Sequence, residues 1–273
     1  MTSAAHDHYG RVDLAALQAA LDAARAQDVE LALEDVAALD QLHVGGLEAT
    51  RSLAQVAELR PGMRVLDVGG GLGGPARLLA REFGVSVEVI DITGPLCEGG
   101  RLLSEALGLA DRVTFHVGDA LAMPYPSAAF DVAWTQHSGM HIGDKAALYA
   151  EIHRVLRPGG TLAMHEVVAG TASPPYYPVP WARDAAHSLL WPAEQLHMVI
   201  IDAGFATRAW RDESAVALTW LAAQRGATPA TSVAAGLNLR LLFEADAGAM
   251  VGNVARNLRE SRMAIVQAAF GRR

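Results

Sequence analysis

Three sets of residues in this chain have the types and spacing to do chemistry. The first is the run Val65-Leu66-Asp67-Val68-Gly69-Gly70-Gly71-Leu72-Gly73-Gly74, with five glycines in six residues. Glycines between an apolar strand and a helix expose backbone N–H groups on one small volume and let a ligand come close to that backbone. An ordinary strand-to-helix turn needs one or two glycines, so the run reads as a nucleotide-type site. The second is Asp91, which closes Val87-Glu88-Val89-Ile90-Asp91 at the distance where an acid holds ribose hydroxyls. The third is a group of histidines, His43, His137, His141 and His165. Histidine takes a proton near neutral pH, so the last three are candidate bases, His137 first because it follows a strand directly. For each, plain packing or a structural hydrogen bond is the competing reading. His137 and His141 are four apart, and His165-Glu166 ends a neighbouring strand, a spacing that raises the question of a metal. The intervening Gly139 argues against the helix such ligation needs, and no metal is expected.

Elements must hold these residues at one place. Asp13 is placed to cap a helix carrying Leu14, Leu17 and Leu21 on one face, and 31–39 is a second helical stretch. A loop, Asp40 to Gly46, precedes a helix over 47–59, and Pro61-Gly62 turns the chain into the first strand. The two glycines and His43 of that loop read as functional rather than as mere connection. Strands are then expected at 65–68, 86–91, 113–117, 131–135 and 161–168, separated by helices at 76–83, 95–108 and 145–156. Residues 169–192 change character, with Pro174, Pro175, Pro178, Pro180 and Pro192 excluding a regular helix or central strand. Tyr176, Tyr177, Trp181 and Trp191 lie in the same stretch; they either line an aromatic pocket or fill the core beneath a proline-rich loop. A helix at 193–203 and strands at 205–212 and 262–270 complete the pattern, with a helical region from Ser214 to Arg259 between the last two.

This rhythm predicts an α/β chain: a doubly wound, mostly parallel, seven-stranded sheet with an added helical cap. The expected organisation is one domain over 1–273. It comprises a helical N-terminal cover at 1–60, a core sheet at 61–212, a helical insertion at 213–260 and a last strand at 261–273. On such sheets ligands bind beyond the strand C-termini at the switch point, which is where the glycine run, Asp91 and the histidines fall.

The bulk numbers set bounds. At 273 residues and 51% hydrophobic, the chain can bury one sizeable core. A net charge of −8 gives no electrostatic reason to bind nucleic acid or an anionic membrane. The start is polar, without the apolar centre of a signal peptide, and no run of about 18 apolar residues is present to span a membrane. The single Cys97 fits a reducing compartment and an inert helical position, so a cytoplasmic location is expected. Homo-oligomerisation stays open.

The glycine run satisfies two patterns. Gly69, Gly71 and Gly74 give G-x-G-x-x-G, a weak dinucleotide signature; Gly69, Gly71 and Gly73 give G-x-G-x-G with Asp67 two residues ahead. The rest of the chain favours the second. Gly118-Asp119-Ala120, Pro126 with Phe130-Asp131, and Leu156-Arg157-Pro158-Gly159-Gly160 stand at spacings that resemble a class I S-adenosylmethionine (SAM) methyltransferase. More narrowly, His43-Val44-Gly45-Gly46, Trp134-Thr135-Gln136-His137 and Pro178-Val179-Pro180-Trp181 are similar to the sarcosine/dimethylglycine N-methyltransferase-like group.

The resemblance implies a Rossmann-like methyltransferase using SAM on a small-molecule acceptor, at N, O or C. It implies that Asp67 and Gly69 to Gly73 hold the methionine part, Asp91 and Ile92 the ribose and adenine, and Asp119 with Ala120 the adenine amino group. Gln136 and His137 would sit under the sulfonium, and His43 would close the cofactor from the N-terminal side. Two departures stand out. Gly70 replaces the family's usual Cys, a change expected to be neutral, and His141 replaces the group's common Asn on the acceptor side. Two other readings keep the site and change the function: a SAM-fold protein without methyl transfer, such as a cyclase or binding protein, and a dinucleotide-dependent oxidoreductase.

Overall fold

The computed structural model describes residues 12–224, 236–238, 241–242 and 247–273. Helices α1 (Leu14–Ala26), α2 (Leu33–Asp40) and α3 (Gly46–Val56) precede the first strand. The Asp13 carboxylate accepts from Ala16 N at 2.9 Å and so caps α1, as its position in the sequence predicts. Alternation then runs β1 (Arg64–Val68), α4 (Gly74–Phe83), β2 (Ser86–Asp91), α5 (Gly94–Ala106), β3 (Val113–Val117) and β4 (Phe130–Gln136). It continues with α6 (Lys145–Val155), β5 (Leu156–Ala169), α7 (Ala193–Asp202), β6 (Phe205–Asp212), α8 (Ser214–Gln224), α9 (Ala247–Arg259) and β7 (Met263–Arg272). Much of the stretch expected as a helical insertion, 225–235, 239–240 and 243–246, lies outside the described residues, as does 1–11 of the N-terminal cover.

The sheet has seven strands in the order β3-β2-β1-β4-β5-β7-β6. β7 pairs antiparallel with both β5 and β6, and the other pairings are parallel. The strand order reverses between β1 and β4, which opens a crevice beyond their C-terminal ends. The expected start of β5 needs correction. Arg157-Pro158-Gly159-Gly160 stops the helix as expected, but the strand begins at once, with Phe130 opposite Leu156 and Val132 opposite Thr161. The register shift absorbs the extra residues as a bulge.

The central strands β1, β4, β5 and β7 are buried on both faces, so the core divides in two. On one face Val65, Val87, Val89, Val132 and Trp134 pack under α1 to α5; on the other Leu66, Val68, Ile90 and Ala133 pack under α6 and α7. A third apolar cluster joins Val44 of the N-terminal loop to Trp181, Ala217, Leu221, Val254 and Ile265 beneath the last two helices. Complete burial of each Leu or Val contributes about 1.5–3 kcal/mol, which fixes the sheet as the frame of the site.

The N-terminal cover is tied to this frame by charge. Arg77 of α4 is 0% exposed, and its Nη2 meets Asp40 Oδ2 at the end of α2 at 2.7 Å. Its Nη1 donates to Gly100 O and Ser104 Oγ of α5, both at 3.1 Å. One guanidinium thus joins three helices.

Candidate functional site

The ends of β1, β2 and β4 open on one cleft of about 840 Å³, counting solvent at its mouth. Asp67, Gly69, Gly71, Asp91, Ile92 and Ala120 line it from the sheet side. Gln136, His137 and His141 line it from the segment after β4, and His43 closes it from the N-terminal loop.

The turn after β1 is built by contact. Gly69 has φ +71°, and a Cβ there would stand 2.6 Å from Ser138 Cβ. Ser138 Oγ donates to Val68 O at 2.9 Å, so the segment after β4 is pressed against the turn. Gly70 overturns one expectation. A Cβ at Gly70 would lie 2.5 Å from Asp67 Oδ2 and 2.9 Å from Val89 Cγ1, so a larger residue there is not neutral. The empty space beside Gly70 is where the Asp67 carboxylate sits.

That carboxylate is 1% exposed, and its Oδ2 has no partner among the described residues. Burial, then repulsion from Asp91, pushes the Asp67 carboxyl up to about 7, with Arg77 pulling the other way. Asp91 accepts Gly71 N at 3.0 Å and Thr93 N at 2.8 Å, one on each oxygen, and keeps further lone pairs for a ligand. Burial raises its carboxyl too, against those hydrogen bonds.

The histidines form a cluster. His137 stacks on His165 with ring centroids 5.1 Å apart, and His43 stands edge-on to both at 6.0 and 6.1 Å. Burial lowers His43 to about 4 and His165 to about 3, and holds His137 well below its ordinary value. All three are therefore neutral, and His137 Nε2 has no partner among the described residues. His137 takes the left-handed region at φ +53°, a conformation costing about 1–3 kcal/mol. Its N–H is held by His165 O at 2.9 Å.

The next residues, 138–142, are clamped from both sides. Glu166 of β5 accepts Ser138 N at 3.4 Å and Gly139 N at 3.1 Å. The Lys145 ammonium donates to the carbonyls of Gly139, Ile142 and Leu189. Burial pushes the Lys145 amine down and the Glu166 carboxyl up.

Three expected site residues fall elsewhere. Gly73 does not line the cleft: it is the N-cap of α4, and a Cβ there would strike the Phe115 ring at 2.6 Å, so its role is packing. Asp119 turns its carboxylate back to Leu121 N at 2.9 Å. His165 lies behind His137, 3% exposed. The aromatic residues of 169–192 do not line the cleft either. Tyr176 is held between the guanidinium groups of Arg256 and Arg262, and Trp181 is buried in the third cluster. Sequence reasoning passed over Arg77, Ser138 and Lys145, and noted Thr50 with Ala49 only as part of the family resemblance. The detectable signals were a lysine in the first turn of a helix, where the dipole disfavours it, and Glu166 in an otherwise apolar strand.

No set of three metal-ligating side chains that could hold an ion is present among the described residues.

Residues 66–164 match the family model described as "Methyltransferase domain". The glycine run, Gly69 to Gly74, lies inside that match. Over 134 residues the chain is 37% identical to Methyltransferase GfsG of Streptomyces halstedii, covering 49% of this chain and 48% of that protein. The chain thus spans about half the length of this curated relative. Among solved structures, the [4+2]-cyclase SpnF matches with a TM-score of 0.69 at 24% identity, over 98% of this chain and 95% of that one. A sarcosine dimethylglycine methyltransferase-like protein from Galdieria sulphuraria matches with a TM-score of 0.58 at 19% identity, over 82% and 83%. These two likenesses concern the fold.

Proposed function

We propose that this chain is a SAM-dependent methyltransferase acting on a small-molecule acceptor, in amine or secondary metabolism and in the cytoplasm. The observation that carries the reading is Asp67. A buried carboxylate with an unmet oxygen, beside a glycine turn and across from Asp91, suits a ligand that brings an ammonium group and a ribose. The methyltransferase domain at 66–164 supports the same cofactor. No described helix is long and apolar enough to cross a membrane.

The residues fit SAM as follows. Asp67 would accept the ammonium, Asp91 would take ribose hydroxyls on its remaining lone pairs, and Ile92 and Ala120 would flank the base. Bound SAM supplies a methyl group already activated by its positive sulfur. The chain's share is to hold the acceptor in line and to keep water out. His137 faces the cleft and is placed to take a proton from a hydroxyl or acidic carbon, but burial lowers its basicity, which favours an amine that enters neutral and needs no strong base. His141 is the second candidate, and His165 supports the His137 ring from behind.

A second reading keeps SAM and drops methyl transfer, as a cyclase or a binding protein would. The likeness of fold to SpnF over nearly the full chain is what favours keeping it in view. Calorimetric titration with S-adenosylhomocysteine (SAH) and with NAD, followed by an acceptor screen scored by SAH release, separates the readings. SAH binding without NAD binding, and SAH release with one acceptor class, is the expected result. A folded protein that binds NAD and not SAH overturns the cofactor. SAM binding with product formation but no SAH release favours the second reading.

A further inference from the structure

Gln136 closes β4 at 9% exposure, and its neighbours dictate how its amide is turned. Trp134 Nε1 lies 3.0 Å from Gln136 Oε1. An indole N–H only donates, so the atom facing it is the amide oxygen. Thr50 Oγ1 of α3 lies 3.3 Å from the same oxygen. The direction of its proton follows from His43. His43 Nε2 stands 3.0 Å from Gly46 O, which only accepts, so Nε2 carries the hydrogen. That hydrogen also faces Thr50 Oγ1 at 3.2 Å. The hydroxyl therefore accepts from His43, and its own proton points to the amide oxygens of Gln136 and Gln41, at 3.3 and 3.4 Å.

The NH2 of Gln136 is what remains. It is buried, without a partner among the described residues, on a side chain that lines the cleft. A buried donor left unmet destabilises a fold, so this one calls for a ligand atom. Asp67 shares its surroundings. Asp67 and Trp134 are register partners on parallel strands, so their side chains leave the same face, as does Gln136 two residues on. Strand geometry puts the Cα atoms of Asp67 and Gln136 about 8 Å apart. One sheet face thus presents an unmet carboxylate oxygen and an unmet amide donor to one cleft. An α-amino-acid group, with ammonium and carboxylate on one carbon, matches that pair. The other carboxylates that line the cleft, Asp40 and Asp91, repel a carboxylate.

We propose that the Gln136 NH2 holds the carboxylate of the ligand's amino-acid tail. Trp134 and Thr50 are positioning residues that keep the NH2 turned into the cleft. The proposal rests on the SAM reading above. It gives the N-terminal cover a direct part in cofactor recognition, because Thr50 and His43 both belong to it.

The test measures calorimetric Kd values for two ligands, SAH and its decarboxylated analogue. At about pH 8, Gln136→Glu puts an oxygen where the NH2 was and should weaken SAH by about 10–100-fold, the scale for a hydrogen bond to a charged group. The analogue, which has no carboxylate, should change by less than about 3-fold. Thr50→Val should weaken SAH by about 3–10-fold, again sparing the analogue, and Thr50→Ser should restore it. Thr50→Val carries the test if Gln136→Glu does not fold. Equal losses for both ligands, or unchanged SAH binding in the folded variants, would overturn the proposal and leave the cofactor reading standing. A parent protein that does not bind SAH removes both.

Discussion

Asp67 links ligand affinity to pH with a sign that can be worked out. Its carboxyl is raised to about 7, mainly by burial, so near pH 6 most of the unliganded protein carries a proton there. A cationic ammonium binds the ionised form, so below pH 7 that proton must leave on binding. The apparent affinity is scaled by the ionised fraction. It should fall about 11-fold between high pH and pH 6, and close to 10-fold for each further unit. Stability of the unliganded protein moves the other way. A carboxyl raised above its unfolded value of 3.8 holds its proton more tightly in the fold. Its contribution is therefore largest below 3.8 and declines as pH rises toward about 7. SAH titrations between about pH 5.5 and 7.5, in two buffers of different ionisation enthalpy, measure affinity and proton release together. Asp67→Asn should bind weakly and lose the pH dependence. A flat affinity across that range with no proton release, in the parent protein, would refute the reasoning.

Three further outcomes are expected. Gly70→Ala places a Cβ 2.5 Å from Asp67 Oδ2, and should cost about 1–3 kcal/mol by denaturant unfolding while weakening SAH; unchanged stability and affinity would count against the packing argument. Arg77→Met strands the buried Asp40 carboxylate, with side chains 0% and 1% exposed in the parent pair, and should cost about 3–5 kcal/mol. Adding Asp40→Asn should recover part of that loss, and strictly additive losses would deny the pairing. His137→Ala should cut turnover by about 10²–10⁴-fold for a hydroxyl or acidic-carbon acceptor, with little change in SAM affinity; full turnover would move the base to His141 or to no residue at all.

The frame of the site was legible because its signals are local. The ends of β2, β3 and β6 fall where apolar alternation meets Gly, Asp or Pro. The glycine turn and Asp91 follow from strand-end position alone. What escaped depends on partners far along the chain. Arg77 reads as an ordinary solvent-facing helix charge until Asp40, 37 residues earlier, folds onto it. Thr50 is unremarkable without Gln136, 86 residues away. Gly70 looked interchangeable because nothing in the sequence says that Asp67 turns back into its space. The aromatic stretch around Tyr176 left two readings open, and burial of Trp181 answers to the core one. The Tyr176 ring is taken up by Arg256 and Arg262, contacts that no spacing announces.

The antiparallel seventh strand has a consequence for how such a chain diversifies. β6 ends at Asp212 opposite Val266, and β7 begins at Met263 opposite Ala169, so both ends of 213–262 are anchored at the same rim of the sheet as the cleft. The anchor is specific: Glu213 N donates to Ile265 O at 2.8 Å, and Ile265 N to Ser214 Oγ at 3.0 Å. A segment pinned at both feet above the cleft can lengthen, shorten or change composition without disturbing a single strand register. Each doubling of such a loop costs only about 0.6 kcal/mol of closure entropy. The segment's described helices still pack inward, with Ala217, Leu221 and Val254 buried against Val44 and Ile265, so only the stretches between those contacts are free to vary. Length changes there leave the strand ends that carry Asp67 and Asp91 where they are.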